Sequence, residues 1–491
     1  MKSFRELRQE RLADEQGTIF AQGELPVALV YPSPYHVGMS SLGFQTIYRE
    51  LNALPSVAAE RAFLPDDLPA ARAGHEMLCT YETNRPVADF PIVAFSLAYE
   101  LEISGLVHCL DLAGIPALAA ERDTPGRRWP LVVVGGPLTF SNPVPAGPMA
   151  DVIVMGEAEE AVATLVQAFR ESPDKRALLE TLARLPGFFV PALHGENPPA
   201  VLSAGNARLP AYSQIVTPHT ELSSMFLIEA ARGCSRTCTY CVMRRSTNGG
   251  MRKAEPAQIL GRIPDHARRV GLVGAAVTDH PRLPEILRAL VDAKRGVGVS
   301  SLRADRLTDE LVGLLAAGGY RTLTTAADGA SQLMRDRIKR GTSEENLRNA
   351  ARLCRAHGMA ALKVYMMLGL PGETMADVEE LIRFAIELGA IAPRLVITAA
   401  PFVAKRNTPL DGSAFEDIAL LEEKRARLRT GLRGHAKLAG ESPKWAWIEY
   451  RLAQGGFAAG RAAVNAARAG GGFAAWKNAL SREDAQSVIQ S

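Results

Sequence analysis

Six apolar runs, separated by amphipathic stretches, constrain the second half of this chain more than any other feature. Residues 225–232 (MFLIEAAR), 270–279 (VGLVGAAVTD), 296–303 (GVGVSSLR), 320–328 (YRTLTTAAD), 362–370 (LKVYMMLGL) and 394–403 (RLVITAAPFV) read as strands. Between them, residues 343–357 and 376–388 carry apolar side chains at helical spacing. A strand that is apolar at consecutive positions is buried on both faces, which calls for parallel pairing with helices outside. Six such units predict a partial (β/α)6 barrel over residues 224–404, open on one side. Chemistry is then expected at the carboxyl ends of its strands.

The first part of the chain alternates in the same way. Residues 27–32 (VALVYP), 90–97 (FPIVAFSL), 130–137 (PLVVVGGP) and 150–155 (ADVIVM) read as buried strands, with helices near 41–52, 100–113 and 157–170. Residues 1–170 are therefore expected to form an open, Rossmann-like α/β parallel sheet, with ligands beyond the carboxyl ends of its strands. Residues 171–223 lose this periodicity among repeated Pro and Gly and read as a bridging segment with short strands. Residues 405–491 are helical in pattern and rich in Ala, Gly and Arg, and are expected to cap the open side of the barrel.

At 491 residues and 47% hydrophobic content the chain exceeds one ordinary core. Its 56 basic and 53 acidic residues nearly cancel, and no long run of one sign stands out, so neither nucleic acid nor an anionic membrane is an expected partner. Residues 1–26 are polar where a secretory leader is apolar. No apolar run reaches the ~18 residues of a membrane span. A cytoplasmic protein is expected.

Cysteine use fits a reducing compartment. Six cysteines are present, and three of them, Cys234, Cys238 and Cys241, fall within eight residues directly after the first barrel strand. Cys79, Cys109 and Cys354 sit singly in apolar surroundings and read as buried thiols. The triplet has C-x3-C-x2-C spacing in the segment RGCSRTCTYC. Ferredoxin-type clusters take four cysteines. With three, one iron of a [4Fe–4S] cluster lacks a protein ligand and can chelate the amino and carboxylate groups of S-adenosylmethionine (SAM). A zinc site completed by His219 is the alternative, but no second half of a zinc ribbon follows.

RGCSRTCTYC after strand one, with LGLPGET at 368–374, resembles the radical SAM superfamily. That resemblance implies a cluster on Cys234, Cys238 and Cys241 that reductively cleaves SAM, fed by an electron donor such as flavodoxin or ferredoxin. It also implies SAM contacts at Tyr240 near the adenine, at Ser301 and Arg303 for ribose and carboxylate, and at the Gly369–Pro371 turn beside the adenine. Gly274 stands where many members carry Gly-Gly-Glu for the SAM amino group. Here the sequence is Gly-Ala-Ala-Val, so backbone carbonyls would take that role. Asp328 ends strand four where relatives carry Glu; an ion pair with Arg303 at the barrel rim is the plain alternative for both.

Residues 132–161 (VVVGGPLTFSNPVP…ADVIVMGEAEEA) resemble the cobalamin-binding domain fused to one large subgroup of these barrels. Gly135, Gly136, Gly156 and Glu157 match its corrin cleft, and His36 lies in the first strand-end loop. The D-x-H-x-x-G motif that supplies a cobalt ligand is missing from residues 1–170. The resemblance implies methyl transfer from cobalamin to an unactivated carbon of a small-molecule or peptide substrate. A cyclisation or rearrangement, with the first domain as a substrate lid or using cobalamin differently, is the second expectation. A non-enzymatic metal-binding module is the third.

Overall fold

The computed structural model describes residues 2–123, 128–243, 250–300 and 302–490. They form two compact units, 1–224 with 451–491, and 225–450.

The first unit is built on a six-stranded sheet of β1 (Leu25–Tyr31), β2 (Val57–Phe63), β3 (Ile92–Ser96), β4 (Leu131–Gly135), β5 (Val152–Val154) and β6 (Phe188–Phe189), in the order β2-β1-β3-β4-β5-β6. The first five are parallel and β6 is antiparallel to β5. Nearly every residue of β1, β4 and β5 is buried, because helices such as Leu42–Asn52 and Glu102–Leu112 are packed on the sheet. Ser41 caps the first of these helices, which buries Phe44, Tyr48 and Leu51. The strand order reverses between β1 and β3, so the crevice of this sheet lies beyond their carboxyl ends.

Two expected boundaries differ. Residues 171–224 are part of the first unit: β6 extends its sheet, and Gly156–Leu202 and Gln16–Val216 bridges stitch the segment to it. Residues 405–491 are not one region. From Arg451 onward the chain belongs to the first unit, where Asn142 Nδ2 donates to the carbonyls of Ala453 (3.0 Å) and Gly455 (2.8 Å). The small residues of helix Phe457–Arg468 serve close packing: a Cβ on Gly460 would lie 2.0 Å from the Pro145 carbonyl.

The second unit begins with β7 (Phe226–Glu229), followed by an antiparallel ribbon of β8 (Ala231–Gly233) and β9 (Met251–Lys253). Then come β10 (Arg269–Val273), β11 (Gly296–Val299), β12 (Thr322–Asp328), β13 (Ala361–Leu368), β14 (Leu395–Pro401) and β15 (Lys437–Ala439). All six expected barrel strands are present and parallel, ending earlier than expected at β10 and β11. They divide into two sheets, β11-β10-β7 and β12-β13-β14-β15, the last adding a seventh parallel strand to the barrel edge. Tyr320 Oη donates to the Val299 carbonyl at 3.5 Å across the division. Along β12 and β13, buried residues alternate with partly exposed ones. The exposed set of β13 includes Tyr365, which lines the cavity described below, so this set is the inner face. No helix of the described residues is long and apolar enough to cross a membrane.

Candidate active site

The β8–β9 ribbon turns the chain out of β7 and into the cysteine loop, whose ends are tied to two neighbouring loops. Thr239 donates its N–H to the Ile338 carbonyl (3.0 Å) and accepts from Leu410 N–H (3.2 Å). Cys234, Cys238 and Cys241 thereby line one cavity of about 150 Å³ at the carboxyl ends of the strands. Tyr240, Ala275, Ala276, Arg303, Arg340 and Tyr365 are among the other residues of its wall. Among the described residues no three thiol, imidazole or carboxylate groups are drawn together as a closed metal site. Three thiols around one open cavity do, however, suit a cluster that needs three protein ligands and room for a fourth, exogenous one. Backbone and side-chain donors point at the sulfurs: Arg236 N–H reaches Cys234 Sγ at 3.4 Å, and the Arg340 guanidinium bonds Cys238. Such bonds orient and tune metal-bound thiolates.

Charges around the loop are matched in pairs that cross the barrel mouth. Arg236 makes two 2.9 Å bonds to Asp279 and a longer one to Asp305. Arg303 bonds Asp305 at 3.0 Å. Burial works against the Asp279 anion, but the Arg236 bonds and the nearby Arg303 and Arg306 charges hold its carboxyl below the usual range.

Asp328 does not pair with Arg303. Its Oδ2 accepts from Tyr240 Oη at 2.5 Å and forms an ion pair with Arg340 Nε at 2.8 Å. A register shift between Ala326 and Asp328, with Asp328 at φ 61°, turns the carboxylate toward these partners. A bulge at a barrel rim re-aims a side chain in just this way, and a non-Gly residue at positive φ is strained. Burial, then the Asp328 charge, pushes the Tyr240 phenol far up, so it stays a donor. The Tyr240 ring packs on a cluster that includes Leu370 and Phe402, at the ends of β13 and β14.

Other expected residues fall differently. Ser301 lies outside the described residues. Gly274 is small for packing, since a Cβ would meet the Ala231 carbonyl at 2.6 Å, and its own carbonyl accepts from Ser300 Oγ. The cavity at that strand end is lined by Ala275 and Ala276 instead. Gly369 and Pro371 are not among the lining residues. Gly369 takes φ 81°, and its N–H donates to Glu373 Oε1 at 2.8 Å. Glu373 in turn accepts from buried Lys424 at 2.9 Å, so the turn is held from the helix Ile418–Gly431.

In the first unit, a Cβ on Gly136 would come within 2.6 Å of the Leu97 carbonyl, and one on Gly156 within 2.4 Å of the Leu202 carbonyl. Both glycines are demanded by chain packing at positive φ. Glu157 accepts from Ala204 N–H at 2.7 Å. Gly135 alone could take a Cβ without crowding, the nearest atom being 3.8 Å away. His36 is half exposed, 3.6 Å from Asp66. His219, the candidate zinc ligand, bonds Asp14 at 2.7 Å. Arg236, Asp279, Asp305, Arg340 and Tyr365 had no local sequence signal that set them apart; Arg236 and Asp279, for one, pair across 43 residues of chain.

Cys109 and Cys354 are fully buried, and burial raises both thiols, Cys354 to about 11. Cys79 is also raised by burial. Single replacement of Cys79, Cys109 or Cys354 by Ala is therefore expected to leave the iron content of anaerobically reconstituted protein unchanged.

Residues 228–385 match the family described as "Radical SAM superfamily", and residues 43–191 match "Radical SAM proteins, N-terminal". An uncharacterised protein of Methanocaldococcus jannaschii is 25% identical over 79% of this chain and 80% of its own length. The ribosomal protein uS12 methylthiotransferase RimO of Desulfosudis oleivorans is 30% identical over 34% of this chain and 40% of its own. Among solved structures, the cobalamin-dependent SAM radical enzyme OxsB with aqua-cobalamin aligns at TM-score 0.53 and 17% identity, covering 75% of this chain and 53% of that one. Its complex with aqua-cobalamin and SAM aligns at TM-score 0.52 and 16% identity, covering 84% and 56%. The chain thus spans about half the length of OxsB, and this likeness is one of fold. With its cysteine loop at the mouth of a partial barrel and the match over residues 228–385, the chain belongs to the radical SAM superfamily, whose members carry a [4Fe–4S] cluster and use SAM.

Proposed function

We propose that this radical SAM enzyme is cobalamin-dependent and transfers a methyl group to an unactivated carbon. The observation that carries the radical half is the convergence of Cys234, Cys238 and Cys241 on one cavity at the strand ends. When bound, a cluster on these thiolates supplies the electron that splits SAM, and cobalamin supplies a methyl carrier. The chain's own residues position the reactants. Arg236 and Arg340 fix the cysteine loop, and Asp328 orients Tyr240 and Arg340. Arg303, the backbone at 274–276, Tyr240 and the Gly369–Pro371 turn are the proposed SAM contacts. Electrons come from a flavodoxin- or ferredoxin-class donor.

Support for cobalamin is the reversal of strand order between β1 and β3, together with the fold likeness to OxsB, whose solved complexes hold aqua-cobalamin. Gly135 and the loops after β1, with His36, and after β3 would face the corrin; Gly136, Gly156 and Glu157 shape the backbone behind it. One observation favours the second reading, a substrate lid without corrin. The buried Glu102 carboxylate joins the two loops at the crevice, accepting from Ser33 Oγ (3.0 Å) and Ala98 N–H (2.6 Å).

The test is the visible spectrum of anaerobically purified protein with and without added hydroxocobalamin, alongside assay of 5′-deoxyadenosine. Corrin retained through gel filtration is the expected result. Gly135→Val should remove it, with Gly135→Ala as the control that keeps the fold, since a Cβ there meets only ordinary contacts. Intact SAM cleavage with no corrin bound would favour the lid.

A further inference from the structure

We propose that the inner face of β13 and β14 holds a subsite for an anionic group of the substrate, a carboxylate or phosphate, anchored by Lys363. The inference rests on the radical SAM reading of the adjoining cavity and names the class of molecule that enters it.

Three observations converge. Lys363 and Tyr365 share the inner face of β13, and the Lys363 ammonium lies over the Tyr365 ring, 4.7 Å from its centroid. Tyr365 is 40% exposed although it stands inside the barrel, and it lines the cavity of the three cysteines. The arginines around that cavity are already neutralised: Arg236 by Asp279, Arg303 by Asp305, Arg340 by Asp328. Among the described residues the Lys363 ammonium has no carboxylate partner and stands over the Tyr365 ring.

A hydroxyl completes the subsite. Thr398 stands opposite Tyr365 in the strand register, and its Oγ1 is buried without a hydrogen-bond partner. Leaving a buried hydroxyl unsatisfied is unfavourable, and a ligand with acceptor oxygens removes that penalty. An ammonium with a free hydroxyl beside it suits an oxyanion, not a cation or a purely apolar group. Two residues along a strand span about 6.6 Å. An anion at Lys363 would therefore leave a short carbon chain reaching past Tyr365 toward the cysteines, with the reacting carbon at the cavity end.

Calorimetric titration of the full-length protein with glutarate and, separately, with inorganic phosphate tests this directly. Saturable binding of at least one is expected. Lys363→Met should weaken it about tenfold or more, the loss of one charge-assisted contact, and Lys363→Arg should hold it within about threefold. As a check that needs no variant, the anion should slow acetylation of Lys363 by acetic anhydride, read by mass spectrometry. Binding of glutarate alone assigns a carboxylate, and of phosphate alone a phosphate. No saturable binding of either anion, equal binding by Lys363→Met, or unprotected Lys363 would overturn the proposal. The titration requires neither iron nor SAM. Failure of the radical SAM reading would appear separately, as missing iron or missing 5′-deoxyadenosine in the unsubstituted protein.

Discussion

Replacing Cys234, Cys238 and Cys241 together by Ala is expected to abolish the brown chromophore and all release of 5′-deoxyadenosine. The unsubstituted protein, reconstituted without oxygen, should carry about four iron and four sulfide per chain. The three thiols share one cavity wall, and the remaining cysteines are isolated and raised by burial, so no substitute ligand stands ready. The fold should survive. The loop is anchored through the backbone of Thr239 and the Arg236–Asp279 pair, neither of which involves a thiol. Iron analysis and far-ultraviolet circular dichroism on the same sample separate these effects. A triple variant with its full iron complement would refute the cluster assignment.

What sequence could and could not reveal follows from the range of the interactions. The cysteine triplet is a local signal, since its spacing and its place after a strand are both read within one loop. The barrel strands were legible because burial on both faces leaves continuous apolar runs. β2 was not, because Val57–Phe63 carries Glu60 and Arg61 in the middle of a strand, and charges there argue against burial. Arg61 is nevertheless fully buried, its partners lying 46 and 21 residues away. β15, only three residues long, offers too short a pattern to register. For Asp328 the sequence offers a cofactor contact, with an ion pair at the rim as the plain alternative. Its actual partners, Tyr240 and Arg340, depend on a bulge that periodicity does not encode. The glycines of the first unit illustrate the opposite hazard. Gly136 and Gly156 fit a ligand motif and are required by chain packing whether or not a ligand binds.

The hidden charge on β2 leads to the second large effect: Arg61→Met is expected to destabilise the first unit by about 3–5 kcal/mol at neutral pH, the range for breaking a buried ion pair from one side. Arg61 bonds Glu15 through Nη1 (2.8 Å) and Nη2 (2.7 Å) and Glu82 through Nε (2.6 Å), and the three side chains are almost fully buried. Removing the guanidinium leaves two carboxylates without their counter-charge. Tyr35 Oη still donates to Glu15 at 2.6 Å and Arg61's backbone N–H position still serves Glu82, so hydrogen bonds persist while the charge does not. Burial already raises the Glu82 carboxyl above its ordinary value of 4.5, with Arg61 opposing the rise. Without Arg61 the rise is larger. A carboxyl with a raised folded pKa contributes its stability below the unfolded value and loses it as pH climbs through the folded one. The variant's deficit should therefore be greatest at pH 7 and shrink as pH approaches 4.5. Adding Glu82→Gln should recover part of the loss at pH 7, because a neutral amide has no charge to strand. Urea unfolding followed by circular dichroism at pH 7 and pH 5 reads both trends. A deficit independent of pH, or one untouched by Glu82→Gln, would mean that lost packing of the Arg61 stem against Tyr48 and Met39, not stranded charge, sets the cost.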